Sequence, residues 1–220
     1  MNQMDVWGMA GVLWLPLLLI AVESYFWGCF NGAVIVSKYI LHDDVRNHGS
    51  GNAGLTNFHR TFGGGLTAVV ILCDMLKAVI ALLIGVAISN FALVPALSPV
   101  LAKYWAAVFC LLGHMYPCMF GFKGGKGILS GGTVALMIDW RVALVVWGGF
   151  LALVILTRYV SLGSVLAAVA FGACFAILHH DTLITMLCGI FMGSLAVFMH
   201  RENIRRLIKG EERKTDLFKK

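Results

Sequence analysis

Residues 66–88 read LTAVVILCDMLKAVIALLIGVAI, an apolar run in which only Asp74 and Lys77 carry charge. A helix of this length can cross the hydrocarbon core of a bilayer, which is about 30 Å thick. The apolar residues are continuous rather than alternating, so the run does not predict a strand of a membrane β-barrel. Because unpaired backbone groups are costly in lipid, the segment is predicted to be a transmembrane α-helix.

Similar apolar runs cover most of the chain on both sides of this segment. Hydrophobic residues make up 60% of the sequence and charged residues only 13%, a composition that excludes a soluble globular protein. The predicted class is therefore all-α, a polytopic transmembrane helical bundle that forms a single domain over residues 1–220. Seven helices are predicted, at about residues 8–36, 66–88, 99–116, 127–138, 141–157, 160–178 and 182–199, followed by a tail over residues 200–220.

The basic residues indicate on which side of the membrane the loops lie. With seven crossings, 14 of the 17 Lys and Arg residues follow the first, third, fifth or seventh helix and therefore share one side. They are Lys38, Arg46, Arg60, Lys123, Lys126, Arg158, Arg201, Arg205, Arg206, Lys209, Arg213, Lys214, Lys219 and Lys220. The positive-inside rule makes this side cytoplasmic, with the N-terminus outside and the C-terminus and glycine-rich loops inside. The N-terminus lacks the basic start of a secretory signal, so residues 8–36 are kept as a membrane helix.

The first polar segment, residues 48–60, has the composition of an anion-binding loop. Its glycines would let successive backbone N–H groups converge on one phosphate, because no Cβ blocks the approach. Neutral side chains and a guanidinium would add further donors. The predicted contacts are Gly49, Ser50, Gly51, Asn52, Gly54, Thr56, Asn57 and Arg60. The segment also matches the glycine pattern of dinucleotide-binding folds, but that interpretation is rejected because no strand precedes it.

The second polar segment, residues 122–130, is a turn of glycine and lysine that opens into a predicted helix. A P-loop is excluded, because Phe120 stands where its first glycine should be and Gly127 where a magnesium-binding hydroxyl should be. Free N–H groups, a positive helix end and two ammonium groups would still meet at one point. The predicted contacts are Lys123, Gly124, Gly125, Lys126 and Gly127.

The third polar segment, residues 200–212, is basic and lies at the end of the last predicted helix. Taken alone, it fits equally well a juxtamembrane helix that binds anionic lipid head groups. Its predicted contacts are His200, Asn203, Arg206 and Glu212. Ser161 and Ser164, in the turn before the sixth predicted helix, lie on the same side and are predicted to add phosphate contacts.

Three residues within the predicted helices are candidates for acid–base or charge-relay roles. His114 is a candidate acid or base, with the satisfaction of a neighbouring carbonyl as an equally open alternative. Asp74 and Lys77 lie three residues apart on one helix face, where a structural ion pair is favoured over a charge relay. The six cysteines are scattered and are predicted to pack in the core. No cluster of metal ligands appears, so neither a metal nor a cofactor is expected.

In order, spacing and side, the polar segments resemble the motifs of the bacterial acyl-phosphate:glycerol-3-phosphate acyltransferases, the PlsY family. The first segment resembles G-S-G-N-P-G-A-T-N-x-x-R, and the third resembles H-R-x-N-I-x-R-L-x-x-G-x-E. The second resembles F-K-G-G-K-G-V-A-T, preceded by G-H-x-F-P. The resemblance covers nearly the whole chain. The departures remove no glycine or charged position; they are Ala53, Leu55, Tyr116, Ile128, Leu129 and Ser130.

The resemblance implies transfer of a fatty acyl group from acyl-phosphate to the 1-hydroxyl of glycerol 3-phosphate. The products would be lysophosphatidic acid and phosphate, in the first acylation of membrane phospholipid synthesis. It also implies a multi-pass protein of the bacterial inner membrane with a cytoplasmic active site. The expected partners are the two substrates and membrane lipids, with the enzyme that forms the acyl-phosphate as a further candidate and no nucleic acid.

The resemblance also suggests roles for individual residues. The acyl-phosphate is expected to contact Ser50, Arg60, Lys126 and Ser161, and glycerol 3-phosphate is expected to contact Lys123, His200, Asn203 and Arg206. The residues expected to take part in catalysis are Ser50, Arg60, His114 and Lys126. Because an acyl-phosphate is already activated, its leaving phosphate needs stabilisation more than the nucleophile needs a strong base. His114 and a substrate phosphate remain alternative bases.

Two functions of other classes are weighed against the enzyme. A transporter for phosphate or an organic anion predicts charged residues or broken helices at mid-membrane depth, where the sequence offers only Asp74 and Lys77. A scaffold that binds anionic lipid would explain the basic tail but not two glycine-rich loops.

Overall fold

The structure is a computed structural model that describes residues 3–92, 97–179 and 182–215, with side chains described from Leu13 onward. Every regular element in these ranges is helical, which confirms the all-α class. The α-helices are α1 (Gln3–Cys29), α2 (Gly32–Ile35), α3 (Leu55–Phe62), α4 (Leu66–Ala92), α5 (Pro99–Met115), α6 (Ile128–Ile138), α7 (Trp140–Thr157), α8 (Val160–Leu178), α9 (Leu183–Met199) and α10 (Arg201–Ile208). The predicted end of the tail, with Lys219 and Lys220, lies outside the described residues.

Two groups of long helices form the bundle. Helices α1, α4 and α5 pack against one another, and α7, α8 and α9 pack in chain order. Helix α6 joins the groups through α4 and α7, and α5 also packs against α9. Glycines bring α1 and α5 close together: a Cβ on Gly28 would lie 2.1 Å from the carbonyl oxygen of Cys110, and one on Gly113 would lie 2.1 Å from that of Tyr25. Such close packing of small residues drives helix association in lipid.

The composition and exposure of the helices are those of a polytopic membrane protein. Among the described residues, α4, α7 and α8 are each long and apolar enough to cross a membrane, and the number rises to five if each of two bent helix pairs is one span. Large apolar side chains such as Leu83, Leu144 and Ile177 are exposed on these helices, as expected of surfaces that face lipid. The seven crossings expected from the sequence remain a prediction.

The single helix predicted over residues 8–36 is wrong beyond Cys29. There α1 ends, and the chain bends by 42° into α2 and a π-helical turn at Val36–Ile40. The buried side chain of Asn31 accounts for the break. Its Oδ1 accepts a hydrogen bond from the N–H of Val34 and caps α2, while its Nδ2 donates to the carbonyl of Ala53. A side chain that pairs the freed backbone groups makes a turn inside the bundle stable.

The other six predicted helices begin and end within one residue of their predicted bounds, except that α4 continues to Ala92. Two short helices complete the fold. Helix α3 occupies the first polar segment and is not predicted by the sequence. Helix α10 lies in the third polar segment, for which a juxtamembrane helix was one of the two interpretations of the sequence. Its axis is bent by 55° from that of α9.

Candidate active site

A cavity of about 610 Å³ lies between the polar segments. Residues that are far apart in the sequence line this cavity together, as predicted from the polar segments. The predicted site residues that line it are Gly49, Ser50, Asn52, Gly54, Thr56, Asn57, Arg60, His114, Lys126, Gly127, Ser161, Ser164, His200, Asn203, Arg206 and Glu212. Four others are not among the described lining residues: Gly51, Lys123, Gly124 and Gly125.

Three helices begin at the cavity wall without a capping side chain. They are α3, α6 and α8, which follow Gly54, Gly127 and Tyr159. First-turn residues of each helix line the cavity: Leu55, Thr56, Ile128, Leu129, Val160 and Ser161. The first N–H groups of a helix have no partner within it, and its N-terminus carries a partial positive charge. Three such ends around one cavity favour a bound anion.

The basic side chains of the cavity differ in exposure, with Lys126 and Arg206 half-buried and Arg60 and Arg213 exposed. Partial burial lowers the pKa of Arg60, an effect that the neighbouring Arg213 and Arg206 reinforce and Glu212 opposes. Burial, and then the charge of Arg206, lower the pKa of Lys126 to about 8. Cations held close together are stabilised by a multivalent anion, and phosphate groups fit this requirement.

Glu212 supplies a counter-charge within this basic cluster. Its carboxylate accepts hydrogen bonds from Nε of Arg206 at 2.7 Å and from Nδ2 of Asn203 at 3.1 Å. Burial raises the pKa of Glu212, but these hydrogen bonds, the nearby Ser161 hydroxyl and the charge of Arg206 together hold the pKa below its usual value. The next residues also bind the bundle, since the N–H of Thr215 donates to the carbonyl of Arg158 at 2.8 Å. Glu212 therefore holds the chain after α10 against the cavity wall.

Ser161 and His200 each present an unused group to the cavity. The hydroxyl of Ser161 is buried and completes no hydrogen bond of ordinary geometry among the described residues, although it lies close enough to Glu212 to lower the pKa of that carboxyl. Nδ1 of His200 lies 2.8 Å from the carbonyl oxygen of Ala196, and a carbonyl only accepts, so the ring proton is on Nδ1. Burial lowers the pKa of His200 to about 4, which keeps the ring neutral at pH 7. Its Nε2 is therefore an acceptor.

The first glycine-rich loop is held by its own hydrogen bonds, which the sequence analysis misses. Nδ2 of Asn57 contacts the carbonyls of Val45, His48 and Asn52, and its Oδ1 accepts from the N–H of Ser50. The N–H of the following Gly51 is bonded to the carbonyl of His48. The expected cluster of free amides is therefore wrong for these two residues. A phosphate contact from the Ser50 hydroxyl, Thr56 or Arg60 stays a prediction.

The second glycine-rich loop packs on the end of α5. The N–H of Gly124 donates to the carbonyl of Met115, and that of Gly125 donates to the carbonyl of His114. A Cβ on Gly125 would lie 2.2 Å from Nε2 of His114, so only glycine fits beside this ring. The amides of Gly124 and Gly125 are therefore not free, and the free N–H groups of this segment are those of the first turn of α6. Gly127, with φ of 77°, supplies the left-handed turn that starts α6.

The predicted ion pair between Asp74 and Lys77 is confirmed, and it reaches the cavity. Nζ of Lys77 lies 2.7 Å from Oδ1 of Asp74 and 2.6 Å from Nδ1 of His114. Asp74 and His114 both line the cavity. The contact between Lys77 and His114, which lie 37 positions apart, was not predicted from the sequence. The available signal is the ammonium itself, because a buried lysine needs acceptors for three protons.

The similarity of this chain to known proteins agrees with the geometry. A family model described as glycerol-3-phosphate acyltransferase matches residues 18–210. The chain is 38% identical over 197 residues to the glycerol-3-phosphate acyltransferase of Thermoanaerobacter sp. (strain X514), which covers 90% of this chain and 94% of that protein. It is 36% identical over 198 residues to that of Clostridioides difficile (strain 630), with coverage of 90% and 94%.

The fold is similar to that of solved structures of the same family. The chain resembles the crystal structure of PlsY (YgiH), an integral membrane glycerol 3-phosphate acyltransferase, in its glycerol 3-phosphate form, with a TM-score of 0.79 and 32% identity. The match covers 92% of this chain and 99% of that one. The lysophosphatidic acid form matches with a TM-score of 0.75. The chain is therefore an enzyme that belongs to the glycerol-3-phosphate acyltransferase family, PlsY.

Proposed function

We propose that this acyltransferase uses acyl-phosphate as its donor and acylates the 1-hydroxyl of glycerol 3-phosphate, releasing lysophosphatidic acid and phosphate. The observation that carries the proposal is the meeting of three uncapped helix N-termini with Arg60, Lys126 and Arg206 around one cavity. Each substrate carries a phosphate, so their binding side by side needs more positive charge than one anion would.

The residues divide into two sets. Ser50, Arg60, Lys126 and Ser161 would hold the acyl-phosphate, and His200, Asn203 and Arg206 would hold glycerol 3-phosphate. The hydrogen bond from the Lys126 ammonium to Oδ1 of Asn203 supports this division, because it brings the two sets into contact. The buried, unpaired hydroxyl of Ser161 supports it as well, since a phosphate oxygen would satisfy it. Lys123 is not a lining residue, and its contact with glycerol 3-phosphate has less support.

The chemistry requires one bond to form and one to break. The glycerol hydroxyl oxygen attacks the carbonyl carbon of the acyl-phosphate, and the bond from that carbon to the phosphate oxygen breaks. The hydroxyl proton passes to a base, and inorganic phosphate leaves. The cations and helix ends around the cavity would stabilise the charge that grows on the leaving phosphate.

The acyl chain also needs an apolar path. A groove lined by Leu111, Gly131, Ala168 and Phe171 shares Gly127 and Ile128 with the cavity wall. Its walls come from α5, α6, α8 and α9 and carry almost no polar surface. We assign this groove to the first carbons of the acyl chain, with the rest of the chain in the surrounding lipid.

We place the protein in the bacterial inner membrane, with its N-terminus outside and its C-terminus and cavity in the cytoplasm. The basic polar segments that meet at the cavity support this orientation. A partnership with the enzyme that forms the acyl-phosphate follows from the chemistry of the donor, because a mixed anhydride is hydrolysed in water.

The proposal is tested with purified protein in detergent, glycerol 3-phosphate and either palmitoyl-phosphate or palmitoyl-CoA. We expect lysophosphatidic acid from palmitoyl-phosphate alone. Turnover only with the thioester would overturn the donor. If neither donor is used, and proteoliposomes take up phosphate instead, the transporter interpretation would replace the proposal.

A further inference from the structure

Lys77 is a buried ammonium whose three protons have three acceptors. Its Nζ lies 2.7 Å from Oδ1 of Asp74, 2.6 Å from Nδ1 of His114 and 3.0 Å from the carbonyl oxygen of Phe30. The side chains of Lys77 and Asp74 are each only 2% exposed. A third partner holds the carboxylate, since the N–H of Gly32 lies 3.3 Å from the same Oδ1. The break between α1 and α2 and the middle of α4 are thus tied to the end of α5.

A hydrogen bond from an ammonium fixes the state of the ring that accepts it. An ammonium has no lone pair, so a nitrogen that bonds to it must be unprotonated. A neutral imidazole with a bare Nδ1 carries its proton on Nε2. His114 then has no lone pair to offer at Nε2, and it cannot accept a second proton without losing the bond to Lys77.

The neutral alternative for Lys77 is disfavoured by charge. A neutral amine would leave the Asp74 carboxylate with only a protonated His114 as its cation, at 3.8 Å instead of 2.7 Å. Moving the proton from lysine to imidazole, which is a much weaker base, is unfavourable, and a carboxylate with no cation at all would be strongly destabilising. A doubly protonated ring is disfavoured as well, because it would place an N–H donor 2.6 Å from an ammonium. The carboxylate therefore keeps Lys77 charged, and Lys77 keeps Nδ1 of His114 unprotonated.

The other ring nitrogen lies against the second glycine-rich loop, at the edge of the cavity. Nε2 of His114 lies beside Gly125, where a Cβ would approach within 2.2 Å, and His114 lines the cavity. We infer that Lys77, held by Asp74, is a positioning residue that makes His114 a hydrogen-bond donor to a substrate phosphate or carbonyl oxygen and prevents it from acting as the general base. The inference rests on the proposed function and removes one of its two alternative bases.

His200 provides the internal contrast. Its Nδ1 donates to a backbone carbonyl, so its Nε2 is an acceptor. His114 has the opposite arrangement, with Nδ1 accepting from Lys77 and Nε2 left to donate. Two neutral histidines of one cavity thus offer a substrate a donor at His114 and an acceptor at His200. The difference arises because Nδ1 has a different hydrogen-bond partner in each ring.

Nitrogen-15 NMR of histidine-labelled protein in lipid bilayers tests the assignment without any turnover. The signals of His114 are those missing from the spectrum of His114→Gln. We expect an unprotonated Nδ1 and a protonated Nε2 at neutral pH, with saturating inorganic phosphate shifting the Nε2 signal. A protonated Nδ1 in the wild-type protein would overturn the inference. An Nε2 signal that phosphate leaves in place would overturn the donor role.

Lys77→Met tests the positioning role in the same spectra. Without the ammonium, Nδ1 loses its donor and is left 3.8 Å from the Asp74 carboxylate, so we expect Nδ1 of His114 to become protonated. The signals of the other histidines, above all His200, serve as the control for an intact fold. His114 signals that stay as in the wild type would show that Lys77 does not set the tautomer.

Turnover gives a second, separate readout. In His114→Gln the amide nitrogen can reach the position of Nε2 and donate, so at least about a tenth of wild-type kcat should remain. In His114→Leu no donor is left, and kcat should fall about 100-fold, as when an oxyanion donor is removed. Equal losses in both variants would indicate a base and overturn the inference. If palmitoyl-phosphate is not used as a donor, the proposed function is wrong, but the tautomer of His114 can still be determined, because NMR measures it without turnover.

Discussion

The ammonium of Lys126 donates a hydrogen bond to Oδ1 of Asn203, which lies 77 positions later in the chain. This contact joins the loop before α6 to α10. Asn203 in turn donates to Glu212, whose carboxylate also binds Arg206. The position of the Lys126 ammonium, in the second polar segment, therefore depends on a hydrogen-bond network formed by residues of the third polar segment.

The charge of Lys126 should make substrate binding sensitive to alkaline pH. Its pKa is lowered to about 8, mainly by burial, so the ammonium is present below that pH and is lost above it. We expect KM for glycerol 3-phosphate and acyl-phosphate to rise above pH 8, by up to about ten-fold per pH unit if the charge is required. Lys126→Arg should move this rise to higher pH, because arginine stays charged. A KM that is flat from pH 7 to 9.5 in the wild-type enzyme would contradict the prediction.

Arg60→Ala should remove turnover without unfolding the protein. Arg60 lies in α3 and lines the cavity, and a lost donor to a developing phosphate charge costs about 100-fold or more in kcat. His59→Ala is the matched control, since His59 is exposed on the same helix and contacts Thr67 rather than the cavity. Initial rates with palmitoyl-phosphate and a thermal unfolding curve check both variants. Near-normal activity of Arg60→Ala would remove this residue from the site.

Gly125→Ala should displace the ring of His114. The new Cβ would lie 2.2 Å from Nε2, and overpacking of this kind costs about 1–3 kcal/mol. We expect a lower Tm and a loss of kcat of about ten-fold, which corresponds to 1.4 kcal/mol of lost transition-state stabilisation. The matched control is Gly149→Ala, because nothing lies within 4 Å of a Cβ there and the residue is within α7. If Gly125→Ala keeps wild-type kcat, the close packing of loop and ring has no catalytic role.

The buried ion pair should matter for stability mainly when only one partner is removed. Lys77→Met leaves the Asp74 carboxylate alone in the bundle, and we expect it to lower the free energy of unfolding by about 3–5 kcal/mol. The double variant Asp74→Asn with Lys77→Met should recover part of that loss. Glu202→Gln is the control, since its pair with Arg205 is 3.7 Å long and exposed, and such pairs contribute about 1 kcal/mol or less. Unfolding in mixed micelles measures these variants and Asp74→Asn alone. A double variant whose loss of stability equals the sum of the losses of its two single variants would contradict the coupling.

Apolar runs and charge were sufficient to predict six of the seven long helices, because the bilayer imposes length and composition on each span. The break after Cys29 could not be predicted in the same way. Asn31 stands in a run that is otherwise apolar, and its caps depend on contacts with Val34 and with Ala53, which lies 22 positions away. Local sequence carries no sign of the second contact.

At the site, the residue types were predictable but their partners were not. The anion-binding character of the polar segments follows from their glycine, lysine and arginine content, whereas the occupation of the Asn57 and Gly125 groups by internal bonds depends on tertiary packing. The N-terminus of α3 was also missed, because helix starts are recognised by capping side chains and Gly54 provides none. The start of α8 at Val160 was predicted, because an apolar run begins there, although Tyr159 provides no cap either.

The uncapped N-termini of α3, α6 and α8 give the cavity a positive field that no proton can remove. Peptide dipoles do not titrate, and they are fixed in place by the bundle, so they need no reorganisation when a substrate arrives. Alkaline deprotonation of Lys126 should therefore weaken phosphate binding to a plateau rather than abolish it. The enzyme would keep a basal affinity for its anionic substrates when the pH rises, and the charge of Lys126 would add affinity only below its pKa.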